Sequence, residues 1–253
     1  PGGRHDDKFI ATTNEYCLFF AKKNKKASMG LLPLEDEDIK SFNKEDQFGK
    51  YRTREFRRSG NNSTRELRPK MYFPIFLKNG NIITPTDDEL EKIYKNGKFD
   101  DNFIAELMEI YQSNGFISIL PIDPKGIKRV WRWGAETIKN KIDDLEIYMD
   151  KSDILQIRVK DRLDNKEGLK PKTLWNKPKY AGANGTVLLK DILNNSLFSY
   201  PKSLNTVIDN LIITSNNNSL ILDYFAGSGT TAHAVINLNR EDKGNRQYIL
   251  VEQ

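Results

Sequence analysis

The chain has 253 residues, a formal net charge of +5 at pH 7, 30% charged residues and 38% hydrophobic residues. This composition excludes an intrinsically disordered chain, and the length accommodates one large domain or two modest ones. No apolar run approaches the ~20 residues of a membrane-spanning helix, and one cysteine cannot form a disulfide framework within the chain. We therefore expect a cytoplasmic protein without membrane contact, in which Cys17 is a buried small hydrophobe.

The N-terminal part contains one strongly apolar stretch. Residues 16–21 are aromatic or aliphatic around Cys17, which predicts a strand buried on both faces. Residues 31–48 mix acidic and apolar residues without a clear period, and they predict a linker that leaves a sheet. Pro1-Gly2-Gly3 is no natural start, and the chain stops directly after a predicted core strand, so we expect a piece of a longer protein.

Residues 50–70 form a basic segment, which we call the arginine segment. It contains eight lysines and arginines against two glutamates, and small polar residues at 60–63 interrupt it. Arginine binds phosphates and guanine edges through paired hydrogen bonds, so this composition suits a DNA-binding loop as well as a solvated basic surface. Together with the family resemblance given below, the density of basic residues favours DNA contact, and the arginines that we expect to make it are Arg52, Arg54, Arg57, Arg58, Arg65 and Arg68.

Residues 71–160 alternate between strand and helix patterns. Asn79-Gly80 between two apolar runs indicates a β-hairpin. Residues 129–133 interleave two arginines with two tryptophans, which favours core tryptophans flanked by arginines over stacking on nucleic acid. No histidine or carboxylate cluster has metal-ligand spacing, so we expect no metal site. The remaining predictions are helices at 87–95, 103–111 and 135–142, and strands at 116–120, 145–149 and 154–160.

The pattern becomes helical again towards the C-terminus. Residues 170–179 are basic and broken by prolines, which predicts an extended segment. Residues 180–186 predict a flexible loop, and residues 187–193 a short helix. Apolar residues from Leu204 to Ile212 share one helical face, and Ser203 is in position to cap that helix.

A glycine turn follows the next predicted strand. Residues 219–222 predict a buried strand, Gly227-Ser228-Gly229 a sharp turn, residues from Thr230 a helix, and residues 247–251 a second strand. Glu252 lies 23 residues beyond Gly229, a spacing typical of a carboxylate that binds ribose hydroxyls. Asp223 at the strand end would repel a pyrophosphate, but it suits the amino and sulfonium groups of S-adenosylmethionine.

Residues 223–235, Asp-Tyr-Phe-Ala-Gly-Ser-Gly-Thr-Thr-Ala-His-Ala-Val, resemble the S-adenosylmethionine-binding segment of amino-methyltransferases that act on DNA. Extended through residues 239–251, the segment is similar to the modification subunits of type III restriction–modification systems. The resemblance implies an α/β fold, part of a Rossmann-like S-adenosylmethionine-dependent methyltransferase sheet with a mixed α/β insertion as target-recognition domain. Residues 1–30 and 171–253 then form the methyltransferase core, and residues 31–170 form the insertion.

The resemblance also implies a function and a set of site residues. The parent protein would be a site-specific DNA adenine-N6 methyltransferase that transfers methyl from S-adenosylmethionine to an extruded adenine. Its partners would be double-stranded DNA, a second copy of itself and a restriction subunit with helicase and nuclease activity. By the same resemblance, the residues that line the cofactor are Asp223, Phe225, Ala226, Gly227, Ser228, Gly229, Thr230 and Thr231, with Glu252 on the ribose and Lys202 and Ser203 beside the methionine end.

One part of the family pattern is missing. Related enzymes carry an Asp/Asn-Pro-Pro-Tyr/Phe motif that accepts hydrogen bonds from the target amino group, and no such tetrapeptide occurs in this sequence. We assign no catalytic residue, and we expect the chain alone not to methylate DNA. A solitary or cytosine-N4 DNA methyltransferase, a non-catalytic DNA-recognition module and a dinucleotide oxidoreductase remain open alternatives.

Overall fold

The computed structural model describes residues 9, 14–150, 153–194 and 198–252. They divide into two compact units. The central unit comprises residues 36–166, and the terminal unit comprises the described residues up to Glu35 together with those from Glu167 onwards. Within the described ranges, no helix has the length and apolarity needed to cross a bilayer.

The central unit consists of small antiparallel sheets and short helices. Asn79 and Gly80 both adopt positive φ, as a two-residue hairpin turn requires, so the hairpin prediction is confirmed. Asn96 and Gly97 repeat this conformation in a second hairpin that the sequence analysis missed. In chain order the elements are α1 (Asp36–Lys40), β1 (Lys44–Asp46), β2 (Gly49–Glu55), β3 (Ile75–Lys78), β4 (Asn81–Ile83), α2 (Asp87–Ile93), β5 (Tyr94–Lys95), β6 (Lys98–Phe99), α3 (Asp101–Ser113), β7 (Ile117–Ile119), α4 (Ala135–Asn140), β8 (Leu145–Met149) and β9 (Leu155–Arg162).

Two sheets of the central unit enclose an aromatic core. One sheet has the strand order β1-β2-β9-β8 and the other β4-β3-β7, with antiparallel pairing throughout. Phe56, Phe73 and Phe76 are fully buried, and Trp131 is buried beside them with its indole N–H donating to the Phe73 carbonyl at 2.8 Å. Trp131 therefore belongs to the core, as the sequence favoured.

The terminal unit is built around one parallel strand pair. β10 and β11 pair in register from Leu220 with Gln247 to Asp223 with Leu250. Ala234, Val235 and Leu238 form the buried face of α7, and they pack with Leu211 of α6. The predicted strand–turn–helix–strand order is confirmed, but the predicted burial of the two strands is wrong, since Leu220 of β10 is 63% exposed and Ile249 of β11 is 49% exposed. The elements are α5 (Gly182–Leu193), α6 (Leu204–Thr214), β10 (Leu220–Asp223), α7 (Thr230–Asp242) and β11 (Gln247–Leu250).

The prediction of a buried strand at residues 16–21 is wrong. Residues 14–20 carry no strand, and Tyr16 and Phe20 are 85% and 90% exposed. A strand forms where a neighbour receives its backbone hydrogen bonds, and no described segment pairs with these residues. Cys17 is likewise exposed rather than buried, with its thiol 3.1 Å from the Asn210 side-chain oxygen.

Three further stretches also have a structure that differs from the sequence prediction. Residues 31–48 contain α1 and β1 instead of a plain linker, and the arginine segment begins inside β2 instead of forming one loop. α5 starts at Gly182, five residues before the predicted helix, so residues 182–186 are helical and not a flexible loop. Each misread stretch is short and polar, so its apolar periodicity is too weak to identify it.

Candidate cofactor turn and arginine surface

The glycine turn follows directly from the end of β10. Gly227 and Gly229 have φ of +52° and +73°, a conformation that glycine adopts without the steric cost of a side chain. The Ala226 amide donates to the Val251 carbonyl at 3.0 Å, and the Val251 amide donates to the Asp223 carbonyl at 2.8 Å. The turn is thereby fixed to the ends of both parallel strands, and α7 begins immediately after it at Thr230.

Asp223 points its carboxylate into this turn. One oxygen accepts from the Phe225 amide at 3.1 Å, and the other accepts from the Thr231 hydroxyl at 2.6 Å. The side chain is only half-buried. A negative charge is therefore held at the first turn of α7, where the positive end of the helix dipole stabilises it.

Glu252 brings a second carboxylate to the same turn. Its side chain is exposed and accepts a hydrogen bond from the Gly227 amide. The ends of the two strands thus place Asp223 and Glu252 on one glycine turn, although 29 residues separate them in sequence. Two carboxylates beside an open turn favour a cationic or hydroxyl-rich ligand and disfavour a polyphosphate.

Apolar surface adjoins these carboxylates. Phe225 is 86% exposed, and the ring of Phe198 lies so close to Gly227 that an added Cβ would be 2.7 Å from its Cζ. An added Cβ at Gly229 would meet nothing within 4 Å. Ser228 and Thr230 exchange a hydroxyl hydrogen bond at 2.9 Å. The turn therefore combines charge, hydroxyls, aromatic surface and open space.

Lys202 and Ser203 have their polar groups engaged elsewhere. The Ser203 hydroxyl donates to the Lys179 carbonyl at 2.7 Å, and it makes no capping bond to α6 even though Ser203 occupies the cap position. The Lys202 ammonium pairs with Glu15 at 3.0 Å on the surface. The side-chain capping role expected for Ser203 is therefore wrong, because its hydroxyl is directed towards the Lys179 carbonyl and accepts no hydrogen bond from the backbone amides of the first turn of α6.

A buried polar cluster lies beside this segment. Asp209 of α6 is 4% exposed, and it accepts from the Tyr180 hydroxyl at 2.6 Å and the Lys179 ammonium at 2.8 Å. Burial, together with the hydrogen bond to Asp209, raises the pKa of Tyr180 to about 12. Burial opposes the charge of Lys179, but hydrogen bonds to Asp209 and Glu35 outweigh it and raise the pKa of that ammonium.

Two of the six arginines predicted to contact DNA, Arg57 and Arg65, instead make intramolecular ion pairs and hydrogen bonds. Arg65 binds both oxygens of Asp101, at 2.6 and 3.0 Å, and its guanidinium lies 4.5 Å from the Phe99 ring centre. The hydrogen bonds that Arg65 donates to Asp101 raise the pKa of Arg65. Arg57 pairs with Glu55 and donates to a backbone carbonyl. The positive charges of both guanidiniums are therefore largely neutralised within the protein, which disfavours binding of an external anion.

The other four arginines are less neutralised. Arg52 pairs with Asp161 at 3.0 Å, and Arg54, half exposed, lies 3.5 Å from the same carboxylate. Arg68 donates to the Asn62 carbonyl at 3.1 Å. Arg58 forms no ion pair with any described residue. The six arginines are therefore distributed along β2 and the irregular segment behind it, and they do not form one loop.

The sequence matches the family profile of DNA methylases over residues 1–253. The chain belongs to this family. It is 31% identical over 254 residues to the EcoPI Mod subunit, a type III restriction-modification enzyme of Escherichia phage P1, and the match covers 99% of this chain and 36% of that subunit. It is also 31% identical over 251 residues to the type II methyltransferase M.KpnI of Klebsiella pneumoniae, covering 99% of this chain and 52% of M.KpnI.

A shorter match supports the same family. The StyLTI Mod subunit, a type III restriction-modification enzyme of Salmonella typhimurium, is 42% identical over 60 residues, covering 24% of this chain and 9% of that subunit. The resemblance to type III modification subunits is thereby confirmed. The methylase chain spans between about a third and a half of the length of the EcoPI and M.KpnI relatives.

Sequence reasoning missed two residues of the methylase that the structure brings to these sites. Phe198 lies against the glycine turn, and Asp209 forms the buried cluster. Arg132, for which the sequence favoured a core-flanking role, lies beside the arginine segment. Asp209 had a detectable signal, since it is a carboxylate between apolar positions of one helix. In the described ranges, no three His, Cys, Asp or Glu side chains converge on a possible metal site.

Proposed function

We propose that this chain is the cofactor-binding and DNA-recognising part of an S-adenosylmethionine-dependent DNA adenine-N6 methyltransferase of the type III modification kind. The observation that carries the proposal is the convergence of Asp223 and Glu252 on one glycine turn at the ends of two parallel strands. The terminal unit would be part of a Rossmann-like methyltransferase sheet, and the central unit would be the target-recognition insertion.

The residues of the turn fit that cofactor chemically. Asp223 would face its cationic methionine end, Glu252 would exchange the Gly227 amide for ribose hydroxyls, and Phe225 would offer its exposed ring to the adenine. The open space at Gly229 permits close approach of a ligand to the backbone. When bound, S-adenosylmethionine supplies the methyl group. Residues 225–231 would line it, and Lys202 and Ser203 would lie beside its methionine end.

The proposed division of labour follows from what the sequence contains. No Asp/Asn-Pro-Pro-Tyr/Phe tetrapeptide occurs in the 253 residues, so these residues are assigned cofactor binding and DNA recognition, and no methyl transfer by themselves. The proposed partners are double-stranded DNA, a second copy of the protein and a restriction subunit. Support for these partners comes from the EcoPI and StyLTI relatives, whose names describe Mod subunits of type III restriction-modification enzymes.

A second candidate rests on the other relative. M.KpnI is a type II methyltransferase, and it matches the chain as closely as the EcoPI subunit does. A solitary DNA methyltransferase, of either adenine-N6 or cytosine-N4 specificity, would use the same glycine turn. Co-purification with a restriction subunit favours the first candidate, and full methylation activity in the absence of any such subunit favours the second.

Isothermal titration of the purified chain with S-adenosylmethionine tests the cofactor assignment. Asp223→Asn removes the charge that faces the cationic end, and a hydrogen bond to a charged group contributes about 1.5–3 kcal/mol, so we expect affinity to fall by roughly 10- to 100-fold. Asp191→Asn is the matched control, because Asp191 is exposed on α5. Equal affinity of wild type and Asp223→Asn would remove the assignment, and binding of a nicotinamide dinucleotide in its place would indicate an oxidoreductase.

A further inference from the structure

We infer that Arg54, Arg58 and Arg132 form an anion-binding clamp for the phosphodiester backbone of duplex DNA. The inference deepens the DNA-binding part of the proposed function and rests on it. It adds Arg132, which lies outside the arginine segment, and it separates these three side chains from the neighbouring arginines that hold the fold together.

Backbone pairing brings the three arginines to one place. The Arg58 amide donates to the Val130 carbonyl at 2.8 Å, and the Arg132 amide donates to the Phe56 carbonyl at 3.0 Å. Arg132 is therefore directly across from Phe56, which lies two residues from Arg54 on one side and two from Arg58 on the other. The Nε of Arg132 also donates to the Glu55 carbonyl at 2.7 Å, which anchors its guanidinium at the end of β2.

Among the described residues, two of the three arginines, Arg58 and Arg132, have no carboxylate of their own to pair with. Neither Arg58 nor Arg132 forms an ion pair with any carboxylate in the described ranges, and the nearby Glu55 is already paired with Arg57. Burial lowers the pKa of Arg132, and the charges of Arg54 and Arg58 lower it further, with Glu55 acting in the opposite direction. The guanidinium of Arg132 is therefore close enough to Arg54 and Arg58 to be repelled by both.

Arg54 adds surplus charge, although it has a carboxylate nearby. Asp161 is shared by Arg52 at 3.0 Å, Arg54 at 3.5 Å and Lys166 at 2.7 Å, so a single negative charge faces three positive ones. Arg54 makes the longest of these contacts, and its side chain is 51% exposed. It is the member of this group that is free to turn towards an external anion.

A phosphodiester is the anion that fits this arrangement. Guanidinium groups bind phosphate oxygens through two parallel hydrogen bonds, and half-buried groups are screened less by solvent than fully exposed ones. Binding a phosphate would offset the repulsion that Arg132 experiences from Arg54 and Arg58. Arg65 offers no such gain, since Asp101 already satisfies its paired donors.

Fluorescence anisotropy with a labelled 20-base-pair duplex of mixed sequence, measured over a range of salt concentrations, tests the clamp. Each phosphate contact contributes about 0.9 to the slope of log affinity against log salt. We expect Arg58→Ala/Arg132→Ala to lower that slope by about 2 and affinity by at least 10-fold at low salt. Lys95→Ala/Lys98→Ala is the matched control, because it removes two exposed charges from the β5–β6 hairpin of the same unit, and its slope is expected to stay near that of the wild type.

Three results would overturn the clamp: no duplex binding by the wild-type chain, an unchanged slope in the arginine variant, or an equal loss in the lysine control. If Arg132→Ala impairs folding, Arg58→Ala alone keeps the test valid, and its slope is expected to fall by about 1. S-adenosylmethionine titration of the same variants separates the two proposals. If the arginine variant binds the cofactor and its salt slope for DNA equals that of the wild type, only the clamp is ruled out and the cofactor assignment stands.

Discussion

Gly227 and Gly229 occupy the same turn with similar positive φ, yet their surroundings differ. A Cβ at Gly227 would approach Phe198 Cζ to 2.7 Å, whereas a Cβ at Gly229 would meet nothing within 4 Å. Alanine at either position would have to adopt a left-handed conformation, which is unfavourable by roughly 1–2 kcal/mol. Only at Gly227 must an aromatic ring also move. Comparing alanine substitutions at the two positions therefore separates the energetic cost of backbone strain from that of the clash with Phe198.

We expect Gly227→Ala to lower the free energy of unfolding by about 2–4 kcal/mol, and Gly229→Ala by about 1–2 kcal/mol, because strain acts at both positions and overpacking at one. Urea denaturation followed by circular dichroism measures both. In a Phe198→Ala background the difference between the two variants is expected to disappear. Equal losses in the wild-type background would show that the Phe198 ring does not restrict the turn.

The sequence predicted the glycine turn but not this neighbour. Two glycines after an apolar run are a local signal, whereas Phe198 reaches Gly227 from 29 residues away. The same reason explains why Asp223 was named and Asp209 was not. A strand end followed by glycines is visible in one stretch of sequence, but a buried carboxylate acquires its meaning only from the Lys179 and Tyr180 side chains that the fold brings to it.

At the scale of elements, the turn formed by Lys179 and Tyr180 contacts both α6 and the residues directly before α6. Asp209 of α6 holds both side chains of this turn, and the Lys179 carbonyl accepts the Ser203 hydroxyl at 2.7 Å. α5 packs closely on the residues directly before α6, because a Cβ added at Gly185 would lie 2.5 Å from the Pro201 carbonyl oxygen. The segment that contains Lys202 is thus fixed from two sides, which would preorganise it for the proposed cofactor.

Asp209→Ala is expected to destabilise the terminal unit by about 2–4 kcal/mol, because it removes the acceptor of the Tyr180 hydroxyl and one of the two carboxylates that pair with the partly buried Lys179 ammonium. Chemical denaturation monitored through Trp175, which lies 5.1 Å from the Tyr180 ring, measures the change. Asp191→Ala on the exposed face of α5 is the control and is expected to change stability by less than about 0.5 kcal/mol. Similar effects of the two substitutions would contradict a structural role for the cluster.

Element prediction succeeded where local chemistry decides the structure. Thr86 and Glu89 form a reciprocal capping box at the start of α2, and the Asp100 side chain caps α3. Element prediction failed where residues distant in sequence determine the local structure. β1 has three residues and is held by ion pairs such as Lys44 with Glu146, and the apolar residues 16–21 lack any described strand beside them. Apolar character alone therefore did not determine burial.

Across the whole molecule, the charge pairs are concentrated in the central unit. Seven described carboxyl groups have a pKa held below its usual value, and five of them belong to residues 36–166. For Asp101 the first cause is the hydrogen-bonded Arg65 guanidinium, which lowers its pKa to about 2. The five are Asp46, Glu66, Asp101, Asp123 and Asp161, and the two in the terminal unit are Glu35 and Asp242.

This distribution predicts that the central unit loses stability in acid. The folded-state pKa of each such carboxyl lies below its unfolded value, so its contribution is complete above the unfolded pKa and is lost as pH falls through the folded-state pKa, which is about 2 for Asp101. Urea denaturation at a series of pH values measures the loss. In a Trp175→Phe background, Trp131 and Trp133 remain as the fluorescent reporters, and both belong to the central unit.

Asp101→Asn makes this test specific. The variant has no carboxylate to protonate at that position, so its stability is expected to fall less steeply between pH 4 and pH 2, although it starts lower at pH 7 because Arg65 and Lys128 lose an ionic partner. Asp164→Asn is the control, since Asp164 is exposed and has no ion pair among the described residues. Parallel pH curves for wild type and Asp101→Asn would show that the pair with Arg65 contributes nothing to acid sensitivity, and the assignment of Arg65 to the scaffold rather than to DNA would then lose its support.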